Sequence, residues 1–179
     1  MDNIYEFERQ KKLQVQFVDA FADWMENRTD VEDVNRPTHA QDLSGVDLVV
    51  KEKDGRVINF QIKTDFLADK TNNLPYEIIS QAYSDRPSEI GWGLDFTDES
   101  KKQKYEYLVY IIAGTGEILI VEICRLAGWV IYNFKGLKTF STLNKDYVTL
   151  GVLIPIMKIR HLAFIKSNLT DTQPGLSLY

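Results

Sequence analysis

The chain has 179 residues, 44% hydrophobic and 26% charged, with a formal net charge of −5 and one cysteine, Cys124. Length and composition fit a single soluble globular domain, in which about 70% of the unfolded surface can be buried. A lone cysteine excludes a disulfide framework and any multi-cysteine zinc site, and it fits a reducing compartment. No apolar run approaches the roughly 20 residues that span a bilayer, and MDNIYEFERQKK is too charged for a signal peptide. The expectation is a cytoplasmic protein with no membrane partner. Charge is segregated: residues 1–100 hold 11 Lys+Arg against 21 Asp+Glu, net −10, whereas 101–179 hold 10 against 5, net +5. The basic half could track phosphates, or it could be an ordinary solvated face.

The first 27 residues read as a helix, because Ile4, Phe7, Leu13, Phe17, Ala20, Phe21 and Trp24 recur mostly at three- and four-residue steps. A polar stretch with Pro37 follows, with a short strand expected around Val31–Val34. From Gly45 the period becomes two: Val46, Leu48 and Val50 are expected on one face, Asp47 and Val49 on the other. Lys53-Asp54-Gly55-Arg56 is a hairpin signal. The return strand, Val57–Thr64, sets Ile58, Phe60 and Ile62 against Asn59, Gln61 and Lys63. Residues 65–73 read as a polar loop, Tyr76–Ser80 as a strand, and 84–104 as a loop or short helical turn. Strands are expected over Tyr107–Ala113 and Glu117–Ile123, joined at Gly114-Thr115-Gly116. A helix is expected over Arg125–Tyr132, and late strands over Val148–Ile156 and Arg160–Ile165. One α/β domain accounts for this order.

The stretch richest in chemistry is Asp47, the turn, and Gln61-Ile62-Lys63. Residues two apart on a strand share a face, so Gln61 and Lys63 do, and a tight hairpin sets Asp47 opposite that region. A hard cation takes oxygen ligands, and Asp47, the Gln61 side-chain carbonyl and the Ile62 backbone carbonyl supply them. A cation there polarises a phosphoryl group and lowers the pKa of water, while Lys63 orients the water and stabilises developing negative charge. This is a kit for phosphodiester hydrolysis. A half-solvated antiparallel strand shows the same alternation with no chemistry at all.

Helix, Asp-bearing strand, turn and a strand carrying Gln-x-Lys resemble the PD-(D/E)XK nuclease superfamily. The nearest look is to its Mrr-like and Holliday-junction-resolvase-like branches, where Gln often precedes x-Lys. The matching residues are Asp47, Gln61 and Lys63, and the resemblance covers roughly residues 4–123. It implies a restriction-endonuclease-like α/β fold: one domain over 1–167 with a mixed central sheet flanked by helices, 124–167 as decoration and 168–179 as a flexible tail. It further implies a DNA endonuclease that hydrolyses phosphodiester bonds with metal-activated water, Mg²⁺ as cofactor, Mn²⁺ as substitute and DNA as partner. A homodimer is implied for cutting both strands.

Members commonly carry an acidic residue on the first helix, for which Glu6 and Glu8 are candidates and Glu26 an outsider. Glu77, in an apolar strand after Gln-x-Lys, is a further candidate for catalysis and metal binding, because Gln61 is neutral and leaves the site one charge short. Without such compensation the same fold would serve as a DNA- or protein-binding module. An RNA substrate is a third reading. Lys101, Lys102 and Lys104, and Lys135, Lys138, Phe140 and Lys145, form basic or basic-aromatic stretches suited to phosphates or to plain solvation. His39 and His161 have no metal-ligand spacing, Trp92 reads as packing, Trp129 and Tyr132 as core, and Cys124 as a small buried hydrophobe.

Overall fold

The computed structural model describes residues 2–42, 45–83, 87–94, 105–144 and 146–168, of which 2–11, 40, 42 and 165–168 by backbone alone. In chain order the elements are α1 (Asp2–Glu26), β1 (Val31–Asn35), α2 (His39–Asp42), β2 (Leu48–Glu52), β3 (Val57–Asp65), α3 (Ala68–Thr71), β4 (Asn73–Ala82) and β5 (Glu89–Ile90). They continue with β6 (Tyr107–Ile112), β7 (Glu117–Glu122), α4 (Ile123–Asn133), β8 (Lys138–Leu143), β9 (Val148–Pro155), α5 (Ile156–Ile159) and β10 (Ala163–Asn168).

Two sheets form. A six-stranded sheet runs β1-β2-β3-β6-β7-β10, and a four-stranded antiparallel sheet runs β5-β4-β9-β8. Within the larger sheet only β3 and β6 are parallel. A parallel pair needs a long crossover, which most often is a helix. Here β4 and β5 lie in the crossover and belong to the second sheet.

Each face of the six-stranded sheet has its own core. Phe21 and Met25 of α1, four residues apart, pack with Leu48, Val50, Ile58, Phe60 and Ile62 on one face. On the other, Leu74 and Tyr76 of β4, Val152 and Ile154 of β9 and the Ile123, Leu126, Ala127 and Val130 stripe of α4 pack with Leu108, Tyr110 and Leu119. Strands β6 and β7 are therefore covered on both sides, the condition under which a strand reads as a continuous apolar run. Among the described residues no helix is long and apolar enough to cross a membrane.

The β2–β3 hairpin shows how local sequence sets register. Gly55 takes φ +92°, the left-handed region glycine tolerates best. The Asp54 carboxylate accepts from the Arg56 N–H at 2.9 Å, and Glu52 N–H donates to Arg56 O at 2.8 Å. This closure pairs Leu48 with Phe60 and Val50 with Ile58.

Several expectations change. Val46 does not share a face with Leu48 and Val50; it joins the inter-sheet core, because the ladder breaks at Asp47, whose N–H donates to Phe60 O. Residues 160–162 are a 3-10 turn, and the strand begins at Ala163. Cys124 is exposed, since the buried stripe of α4 passes through Ile123, Leu126 and Val130. Trp129 does pack against the core, but Tyr132 is 90% exposed. Residues 68–71, read as loop, form one helical turn, α3. Residues beyond 124 supply β8 and β9 to the second sheet and β10 to the first.

Candidate functional site

The Gln61-Ile62-Lys63 triplet sits in the second half of β3, where β2 no longer flanks it. Its alternation is as the sequence reads. Ile62 enters the α1-side core, and Lys63 turns the other way, lining an inter-sheet cavity of about 330 Å³ with Asp65, Glu77, Trp92 and Tyr110. Gln61 is 4% exposed, and its Oε1 has no hydrogen-bond partner among the described residues. An unpartnered buried carbonyl typically costs about 1–3 kcal/mol, a cost that a bound water or cation would offset.

Asp47 lies at the broken end of the β2–β3 ladder. Its Oδ2 accepts from the Ile62 N–H at 2.6 Å. The carboxylate thus replaces the backbone acceptor that β2 would have offered. In a strand, the N–H and C=O of one residue leave on the same edge, so the Ile62 carbonyl is turned toward the Asp47 side as well. Asp47 also lines a different cavity, on the α1 side of the sheet, together with Val18 and Arg36.

The inter-sheet cavity is built stiffly. The turn after β5 is held by Gly91 N–H to Ile78 O at 2.8 Å and Gly93 N–H to Glu77 O at 3.0 Å. Two buried phenols clamp it further: Tyr76 donates to Gly93 O and Tyr105 to Trp92 O. Trp92 meets Tyr76 edge-on, with centroids 5.2 Å apart. The Lys63 ammonium stands 6.0 Å from the Trp92 ring centroid, within the range of a weak cation–π contact. Glu77 accepts from Ser80 Oγ at 3.1 Å.

Asp65 and Tyr110 also belong to this cavity, and sequence reading did not single them out. Tyr110 OH donates to Asp65 Oδ2 at 2.6 Å, while Asp65 Oδ1 takes the Leu67 N–H at 2.7 Å. Burial first, and then the Asp65 carboxylate, pushes the Tyr110 phenol far above its ordinary range, so it stays a proton donor. One signal was present in the sequence: Asp65 is two residues beyond Lys63, hence on the same face of β3.

The structure therefore brings Lys63 and Glu77 to one cavity and ties Asp47 to the backbone between Gln61 and Lys63. Glu26 is exposed at the end of α1 and lines neither cavity. The side chains of Glu6 and Glu8 lie outside the described residues, as do Lys101, Lys102, Lys104 and Lys145. Lys135 and Lys138 are exposed and Phe140 is half-buried.

Among the described residues no three His, Cys, Asp or Glu side chains are gathered so as to hold a metal ion. The oxygens near the triplet nonetheless fit a hard cation in kind: the Asp47 carboxylate, the Ile62 carbonyl and the orphaned Gln61 Oε1. Charge is what they lack, with one carboxylate among three oxygens. Comparison with models of known families and with curated proteins finds no match to this chain.

Proposed function

We propose that the chain is a divalent-metal-dependent DNA endonuclease of restriction-endonuclease-like fold, related to the PD-(D/E)XK superfamily. The observation that carries this reading is the 2.6 Å bond from Ile62 N–H to Asp47 Oδ2, which fastens the acid to the backbone of Gln-x-Lys. Asp47, the Ile62 carbonyl and Gln61 Oε1 would hold Mg²⁺ or Mn²⁺. When bound, the ion supplies Lewis-acid polarisation of the phosphoryl group and a lowered pKa for water. Lys63 orients the attacking water and places positive charge where the phosphorane-like oxygens gain negative charge. Glu77, which lines the same cavity as Lys63, would add the carboxylate that Gln61 withholds. Cutting both strands of a duplex calls for two such sites, hence a homodimer.

The test is incubation of the purified protein with plasmid and branched DNA plus Mg²⁺ or Mn²⁺. Cleavage is expected, and Lys63→Ala and Asp47→Asn each lower its rate about 10²-fold or more, with unfolding midpoints confirming that both variants fold. Cleavage unaffected by either change overturns the assignment. RNA substrates run in parallel separate deoxyribonuclease from ribonuclease action.

A second reading has its own support. Asp47 lines a cavity on one face of the sheet, Lys63 and Glu77 line a cavity on the other, and Gln61 brings no charge. On that reading the chain is a DNA- or protein-binding module on the same fold. Calorimetry with Mn²⁺ discriminates: saturable heat supports the enzyme, and its absence supports the module.

A further inference from the structure

The α1-side cavity next to Asp47 opens to solvent and has a volume of about 620 Å³, and its polar lining among the described residues is Gln14, Arg36, His39 and Asp47. The donors come from separate pieces of chain: Gln14 from α1, Arg36 just after β1, and His39 at the start of α2. The other described lining residues, Val15, Val18 and Pro37, are apolar, and Val15 is 55% exposed on a helix that elsewhere buries Phe21 and Met25 completely.

Two basic side chains, Arg36 and His39, line this cavity. Pro37 restricts Arg36 to extended backbone, which limits where the guanidinium can go. Thr38 N–H and Oγ1 both donate to the Gln41 side-chain oxygen at 2.9 Å, closing the turn on which His39 sits. Arg36 forms an ion pair with Asp19, and both side chains are about half exposed. A solvated pair of this kind is worth roughly 0–1 kcal/mol, so the guanidinium exchanges Asp19 for a doubly bonding anion at little cost. Its planar fork matches phosphate oxygens two at a time. The imidazole of His39 keeps at least one N–H donor in either protonation state.

We propose that this cavity seats a backbone phosphate of the nucleic-acid strand, with Arg36 and His39 as its donors and Asp47 at its edge. The inference rests on the nuclease reading and deepens it: the strand enters along α1 and delivers the neighbouring phosphodiester to Asp47. It also gives a role to His39, which has no metal-ligand spacing in the sequence.

The test is fluorescence anisotropy with a labelled DNA duplex in EDTA, which stops metal-dependent cleavage, across a series of salt concentrations. Arg36→Gln and His39→Gln are each expected to weaken binding about 10-fold. Arg36→Gln should also reduce the slope of log K against log salt by about one, the signature of one lost phosphate contact. Lys158→Gln, an exposed change on α5, should alter neither. Unfolding midpoints establish that the variants fold. Binding and salt slope unchanged in both cavity variants overturn the inference, and the nuclease reading then stands or falls separately on cleavage by the wild-type chain. Absence of both DNA binding and cleavage overturns the two together.

Discussion

On one face of the six-stranded sheet, α1 brings Phe21 and Met25 onto Ile58, Phe60 and Ile62; on the other, a second sheet brings Tyr76 and Val152 to Tyr110 and Leu119. A helix covers a strip, and where the strip ends, beside Val15 and Val18, a wide cavity opens against Asp47. A sheet covers a plane, and a smaller cavity remains beside it among the described residues, lined by Lys63, Glu77 and Trp92. The Gln61-Ile62-Lys63 triplet threads between these two coverings. Its middle residue belongs to the helix side and its outer residues to the sheet side, where Gln61 is buried and Lys63 lines the cavity.

The helix side depends most on single large rings. Phe60 is fully buried, with centroids 5.8 Å from Phe21 and 5.7 Å from Tyr107. Phe60→Ala is expected to lower unfolding free energy by about 3–5 kcal/mol, read from urea denaturation. Because the Phe21 and Phe60 rings touch, the double variant should cost less than the two single losses added together. Full additivity would show that α1 and the sheet are not one packed unit.

The sheet side depends instead on close backbone approach. A Cβ added at Gly91 would lie 2.5 Å from Glu77 O and 2.7 Å from the carbonyl carbon of Ile78, neither of which is a flexible side-chain end. Gly91→Ala should cost about 1–3 kcal/mol, as overpacking does, and should shift the fluorescence of Trp92 by moving the turn away from Lys63. An unchanged unfolding midpoint would mean that the turn floats on β4 rather than gripping it.

Much of this architecture was legible because period and turn chemistry are local. The α1 helix, the Gly55 hairpin, the β6–β7 pair and the α4 helix all follow from spacing that neighbouring residues enforce. The second sheet was legible only in part. Tyr76–Ser80 and Val148–Ile156 read as strands and lie in β4 and β9, whereas the edge strand β8, Lys138–Leu143, is exposed over most of its length and shows no alternation. Val46 was misplaced because a ladder break made by one carboxylate leaves no mark on the apolar pattern. At the site, the shared face of Gln61 and Lys63 was readable from parity alone. The junction of Glu77 and Trp92 with Lys63 was not, since it is made by a crossover between strands far apart in sequence.

Gln61 bears on the comparison more gently. Its amide faces the sheet side, and its buried Oε1 has no partner among the described residues. Removing both the polar group and its unmet need by Gln61→Leu should leave stability unchanged or raise it by up to about 1 kcal/mol. A clear loss in thermal melts would reveal a bond that Oε1 makes in solution, as a bound water or cation would supply.

The smallest effect concerns how α1 is fastened to the sheet it covers. After the helix, Arg28 Nε donates to Asp30 Oδ1 at 3.0 Å, with a second guanidinium nitrogen on Oδ2, and its charge lies 5.8 Å from the Trp24 ring centroid. The hydrogen bond from Arg28 holds the Asp30 carboxyl below its ordinary value of 3.8. A carboxyl with a lowered folded pKa adds stability that is fully present above the unfolded value and disappears as pH falls through the folded one. Asp30→Asn should therefore be slightly less stable than wild type near neutrality, by less than about 1 kcal/mol because the Asp30 side chain is 35% exposed. The deficit should shrink as pH falls below about 4, where the wild-type carboxyl gains its proton. Thermal melts of both proteins between about pH 3 and pH 7 check this; a deficit independent of pH would mean that Asp30 fastens the helix through packing rather than charge.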